Sequence, residues 1–193
     1  MKRFSSMVVV AALLGSFCSR REQAINAGSK RPTASSPAAR AVESAASPAQ
    51  GGVMPDYKAA LLDGTTFSTY GERGNVVLLN LWATWCGPCR AEVPALLSLH
   101  ERFAGRGFKV VGISLDDPGD EPAVRDFVRE QKITYPVALD KDGTLSKAFH
   151  VSVLPTSMLI DRQGRIVWQD IGMLSKDNPK LVGAIESALG KKS

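Results

Sequence analysis

The chain has 193 residues, 44% of them hydrophobic and 22% charged, which is room for one ordinary globular domain and not for two. Its formal net charge of +5 belongs to the first 55 residues, where Lys2, Arg3, Arg20, Arg21, Lys30, Arg31 and Arg40 face only Glu22 and Glu43. The remainder carries seventeen basic and seventeen acidic side chains, so it lacks the electrostatic footprint of a nucleic-acid binder.

Residues 1 to 26 read as a leader. A basic start is followed by an apolar run from Met7 to Cys18, the pattern of an export signal. The run is shorter than the roughly 20 apolar residues of a membrane span. Three fates fit it: cleavage, retention as a signal anchor with Arg20 and Arg21 at its edge, and lipidation at Cys18. Gly15-Ser16-Phe17 is a poor lipobox for the last. Each places the domain outside the cytoplasm, in the periplasm, soluble or membrane-tethered. From 27 to 55, 20 of 29 residues are Ala, Ser, Pro or Gly and none is aromatic, which predicts a disordered tether, with the folded domain over 56 to 193.

Within the domain, Val76 to Trp82 is an almost unbroken apolar run, predicting a central strand buried on both faces. Val93, Leu96, Leu97, His100 and Phe103 recur at helical spacing from about Pro88 to Ala104, where Gly105 and Gly107 end the pattern. Lys109 to Leu115 predicts a second buried strand, and Glu121 to Lys132 a helix with Pro122 in its first turn. Strand, helix, strand, helix implies parallel pairing. Thr156 to Ile160 and Arg165 to Trp168 flank the turn sequence Asp161-Arg162-Gln163-Gly164 and predict a hairpin, and Pro179 to Leu189 a closing helix. The fold class is therefore α/β.

Cys86 and Cys89, the two cysteines of the domain, stand where a buried strand turns into a helix. Unpaired backbone N–H groups and the dipole at a helix start favour an anion, so the Cys86 thiol is expected below its free pKa of about 8.5. Pro88 in the first turn sacrifices no intrahelical bond. Cys89, three residues on, is placed to attack a mixed disulfide formed on Cys86. Half of a zinc site is the competing reading of Cys-x-x-Cys; four ligands are needed, and His100, His150 and Cys18 form no matching pair. His100 lies on the apolar side of its helix and reads as a packed boundary residue. Asp116, Asp117, Asp120 and Glu121 read as a solvated, acidic helix entrance, and Asp140-Lys141-Asp142-Gly143 as a turn with too few ligands for calcium. Thr84 stands two residues before Cys86, one short of the peroxiredoxin spacing.

LLNLWATWCGPCRAEVP from Leu78 to Pro94, followed by Leu154-Pro155-Thr156 and by Ile160 to Ile166, resembles the exported TlpA/ResA-like branch of the thioredoxin superfamily over about residues 53 to 190. The resemblance implies a thioredoxin fold, a central mixed sheet flanked by helices, and an extracytoplasmic thiol-disulfide oxidoreductase. In it Cys86 is the nucleophile, Cys89 the resolving thiol, and Glu92 the carboxylate that assists proton movement; cytoplasmic thioredoxins use a buried Asp where this chain has Asn80. Pro155 is expected in cis and, with Leu154, Trp85, Gly87 and Pro88, to meet the substrate. Trp85 is expected to cover Cys86, Trp82 to pack in the core, and Pro94 to kink the helix.

The Gly-Pro pair between the cysteines is that of reducing thioredoxins, which implies reduction of protein disulfides, in this family including apocytochrome c, with re-reduction by a thiol donor in the membrane. No cofactor beyond the redox-active Cys86–Cys89 disulfide, no metal and no nucleic-acid partner is expected, and the protein is expected to act as a monomer. Two rivals stay open: a disulfide-forming or isomerising enzyme built from the same residues, and a thioredoxin-fold copper carrier that would need His150 to reach the cysteines.

Overall fold

A computed structural model describes residues 51–190. The chain opens with a short antiparallel pair, β1 (Lys58–Ala60) and β2 (Thr66–Ser68). The predicted central strand follows as β3 (Val76–Trp82), with all seven residues buried, and leads into α1 (Gly87–Phe103). Next come β4 (Phe108–Ser114), α2 (Glu121–Glu130), β5 (Val137–Leu139) and α3 (Thr144–Ala148). The hairpin strands β6 (Thr156–Ile160) and β7 (Ile166–Ile171) and the helix α4 (Pro179–Gly190) complete the order.

The main sheet has five strands in the order β5-β4-β3-β6-β7. β3 pairs in parallel with β4 and antiparallel with β6, β4 in parallel with β5, and β6 antiparallel with β7. This is the mixed α/β sheet expected from the sequence. Because side chains alternate across a strand, Val76, Leu78 and Trp82 join α1, α2 and α4 in one core, while Val77, Leu79 and Leu81 join Phe67, Leu145 and Phe149 in the other. Asn80 shares the parity of the first group, so this polar residue of the central strand faces the side on which α1 lies.

The sequence reading passes over β1, β2, β5 and α3, each only three to five residues long. It also starts the domain too late. Gly51 N–H donates to Ile166 O at 2.7 Å, Met54 N–H to Gly164 O at 2.8 Å, Val53 forms a β-bridge with Arg165, and the Met54 side chain is buried. Residues 51 to 55 therefore belong to the folded unit, because the backbone of the β6–β7 turn offers them partners. The leader, and the tether as far as residue 50, lie outside the described residues.

Candidate active site

The three residues Ala83, Thr84 and Trp85 hand β3 over to α1. Cys86 follows in an extended conformation, φ −84° and ψ 105°, as the residue that caps the helix. Gly87 and Pro88 open the first turn, where the missing N–H of Pro88 leaves nothing unpaired. Cys86 and Cys89 are joined in a disulfide with their Cα atoms 5.3 Å apart, and Cys86 Sγ accepts a hydrogen bond from Cys89 N–H at 3.2 Å. The sulfur thus occupies the position of a helix-capping acceptor, where the amide and the helix dipole favour negative charge once the bond is reduced.

Cys86 is 5% and Cys89 2% exposed. Trp85 is 72% exposed, so most of its surface faces solvent beside the buried Cys86. Gly87 and Pro88 are exposed beside it. Trp82 packs in the core, its ring centroid 4.6 Å from that of Phe127.

One turn along α1, the Glu92 side chain is 1% exposed. Its Oε1 accepts from Asn80 Nδ2 at 2.7 Å and its Oε2 from Leu174 N–H at 2.8 Å. Asn80 Nδ2 also donates to Ser157 Oγ at 3.0 Å, which carries the polar chain onto β6. Both bonds to Glu92 favour the carboxylate, yet desolvation outweighs them and the pKa is pushed up to about 7. The Tyr135 hydroxyl is pushed above its ordinary value, first by its own burial and then by the Glu92 charge.

The Leu154–Pro155 peptide is cis. Thr156, the next residue, is the register partner of Leu81, so this peptide lies at the end of the sheet from which the disulfide loop departs. Thr156 Oγ donates to Val153 O at 2.7 Å, and Gly172 N–H to Pro155 O at 2.8 Å. The half-buried Leu154 packs against both cores. Ile171, the register partner of Thr156, and Met173, two residues further on, have exposed side chains, and sequence reasoning missed them because the predicted strand ends at Trp168. Leu174 was missed for a different reason: it engages Glu92 through its backbone, 82 residues away, which no side-chain pattern announces.

Asp116 departs from its expected role as part of a solvated acidic entrance. Its carboxylate is buried and accepts from Thr84 N–H and from the hydroxyls of Thr84 and Ser114. Asp117 and Asp120 are exposed as expected. Asp140 is buried and accepts from Leu145 N–H, Ser146 N–H and the Tyr57 hydroxyl, an arrangement that fixes the turn into α3. His100 sits at the boundary of the core: its Nδ1 accepts from Val110 N–H at 3.3 Å, and its ring meets Tyr135 edge-on at 6.1 Å. His150 is exposed just past α3. Among the described residues, no three His, Cys, Asp or Glu side chains gather in a metal-holding group.

A helix capped by a cysteine that is bonded to the fourth residue of its own turn, set at the end of the central strand of such a sheet, is the hallmark of thioredoxin-fold thiol-disulfide oxidoreductases. Residues 51–169 match the AhpC/TSA family, and the chain belongs to it. Thiol-disulfide oxidoreductase ResA of Bacillus thuringiensis subsp. konkukian is 32% identical over 123 residues, which cover 64% of this chain and 70% of that protein. Among solved structures, a thioredoxin-family thiol:disulfide interchange protein from Chlorobium tepidum superposes with a TM-score of 0.63 at 31% identity, covering 74% of this chain and 99% of that one. StoA from Bacillus subtilis does so with a TM-score of 0.57 at 28% identity, covering 65% and 94%. The chain is a redox enzyme of the thiol-disulfide oxidoreductase class.

Proposed function

We propose that this enzyme reduces disulfides in other proteins outside the cytoplasm. The observation that carries the reading is the Cys86 sulfur at the cap of α1 with a buried carboxylate one turn behind Cys89. In the reduced enzyme the Cys86 thiolate attacks one sulfur of a substrate disulfide. A mixed disulfide forms, and the other substrate sulfur leaves as a thiolate that takes up a proton. Cys89 then gives its proton to the Glu92 carboxylate and attacks Cys86 Sγ, releasing the second substrate thiolate. Two electrons pass from the enzyme to the substrate, and the Cys86–Cys89 disulfide remains.

A carboxyl that titrates near 7 is matched to accepting and returning a proton at neutral pH. Leu154, ahead of the buried cis Pro155 whose carbonyl already accepts from Gly172 N–H, presents backbone to an extended substrate segment, while Trp85, Gly87 and Pro88 offer exposed surface beside the sulfur. The oxidised enzyme is returned to the dithiol by a thiol donor in the membrane. Apocytochrome c cysteines awaiting haem attachment are the substrate that the TlpA/ResA-like resemblance favours. The leader supports a periplasmic address for the domain, soluble or tethered; among the described residues no helix is long and apolar enough to cross a membrane.

The deciding experiment is the equilibrium potential of the Cys86/Cys89 couple in the full chain, read against glutathione. The scale runs from about −270 mV for thioredoxin to about −120 mV for the strong oxidant DsbA. A value at or below thioredoxin's is expected. A value near the oxidising end would reverse the direction of electron flow and make the protein a disulfide donor.

A further inference from the structure

Asp116 has no part in the reaction described above, yet it is the side chain that ties the Cys86 loop to the neighbouring strand. Thr84 N–H lies 3.0 Å from its Oδ2 and 3.2 Å from its Oδ1, and the Thr84 hydroxyl donates to Oδ1 at 2.6 Å. The Ser114 hydroxyl donates to Oδ2 at 2.8 Å, and Asp116 N–H returns to Ser114 Oγ at 3.2 Å. Asp116 stands two residues beyond β4, and Thr84 two residues before Cys86. The pairing of β3 with β4 reaches the threshold of the loop, where Leu115 N–H donates to Trp82 O at 2.8 Å. Past that point the loop has its own turn, Cys86 N–H to Ala83 O at 3.1 Å, and the clasp on Asp116.

The clasp bears on chemistry through geometry. Cys86 Sγ accepts the Cys89 N–H only while Cys86 keeps its extended conformation at the helix cap. Once reduction has cut the covalent link to Cys89, that conformation is held by the Arg90 N–H bond to Cys86 O at 3.2 Å and by the loop. A carboxylate suits the task, because it accepts from an amide and two hydroxyls at once, whereas an amide side chain in its place would turn an NH2 group toward one of those donors. We infer that Asp116, acting through Thr84, is a positioning residue that keeps the reduced Cys86 sulfur at the N-terminus of α1, where its thiolate is stabilised. The inference rests on the reading of Cys86 as the attacking thiolate.

The test is the pH dependence of Cys86 alkylation by iodoacetamide in the reduced full-length chain, read peptide by peptide with mass spectrometry so that Cys18 and Cys89 are counted separately. Thr84→Val removes the shortest bond of the clasp and leaves the Asp116 charge in place. Its midpoint for Cys86 is expected to rise by roughly one pH unit toward the free-thiol value of about 8.5, a loss of up to about tenfold in thiolate at neutral pH. Thr84→Ser, which keeps the hydroxyl, is expected to titrate with the wild type. A Thr84→Val protein that melts at a lower temperature but titrates like the wild type would reduce the clasp to scaffolding and overturn the inference. The titration needs no substrate. A wild-type enzyme unable to reduce a test disulfide such as that of insulin would defeat the proposed function and leave this result readable.

Discussion

Glu92 holds its carboxyl inside the protein, and this marks the stability of the fold as well as the proposed chemistry. Its pKa of about 7 lies above the ordinary 4.5, so the folded chain binds the proton more tightly than the unfolded chain does. The resulting stabilisation is complete below about pH 4.5 and is lost as pH rises through 7. At 1.36 kcal/mol per unit the interval amounts to about 3 kcal/mol. The denaturation midpoint is expected to fall between pH 5 and pH 8 and to fall less in Glu92→Gln; identical slopes would acquit Glu92 as the source. The same variant is expected to slow resolution of the mixed disulfide, most of all near neutral pH, as followed by stopped flow. Glutamine has one acceptor where the carboxylate has two, so its NH2 group must face either Asn80 Nδ2 or Leu174 N–H. The pH profile of the rate, and not its absolute value, therefore isolates the proton chemistry. Cys86 and Cys89 were legible in the sequence because helix capping is a local event. Asp116 was not, because a run of acidic residues looks alike in sequence whether one of them turns inward to Thr84 or all remain in solvent.

At the scale of the element, β3, β4, α1, α2 and α4 were readable because each carries an apolar run or a helical repeat over seven or more residues, and β6 and β7 because a turn sequence joins them. β1, β2, β5 and α3 are too short to show one, and they form against partners that the chain meets elsewhere: β1 against β2, β5 along β4, and α3 under the clasp of Asp140. The close fit of β4 to its neighbours gives a test of this packing. A Cβ on Gly112 would lie 2.9 Å from Trp82 Nε1 and 3.3 Å from Tyr135 Cε2. Trp82 is confined in turn by Phe127. Gly112→Ala is expected to destabilise the fold by about 1–3 kcal/mol, the usual consequence of overfilling a packed interior. Thermal melting checks this, and a variant as stable as the wild type would mean that the two rings can move apart freely.

For the whole molecule, the start of the folded unit is the correction with the widest practical reach. A fragment beginning at Asp56 loses the backbone hydrogen bonds of Gly51, Gly52 and Met54 and the buried Met54 side chain. Relative to a fragment beginning at residue 50 it is expected to be less stable by about 4 kcal/mol, from one buried apolar side chain and three backbone bonds. Urea denaturation of the two fragments measures the difference directly. The same attachment has a mechanical side. Gly51 and Val53 are stitched to Ile166 and Arg165, at the turn of the β6–β7 hairpin, whereas Ile171 at the other end of β7 borders Pro155. A strand of six residues spans about 20 Å. Tension arriving along the polypeptide is taken up by a few backbone bonds at the near end of that strand, and the dithiol stands clear of the path of the load.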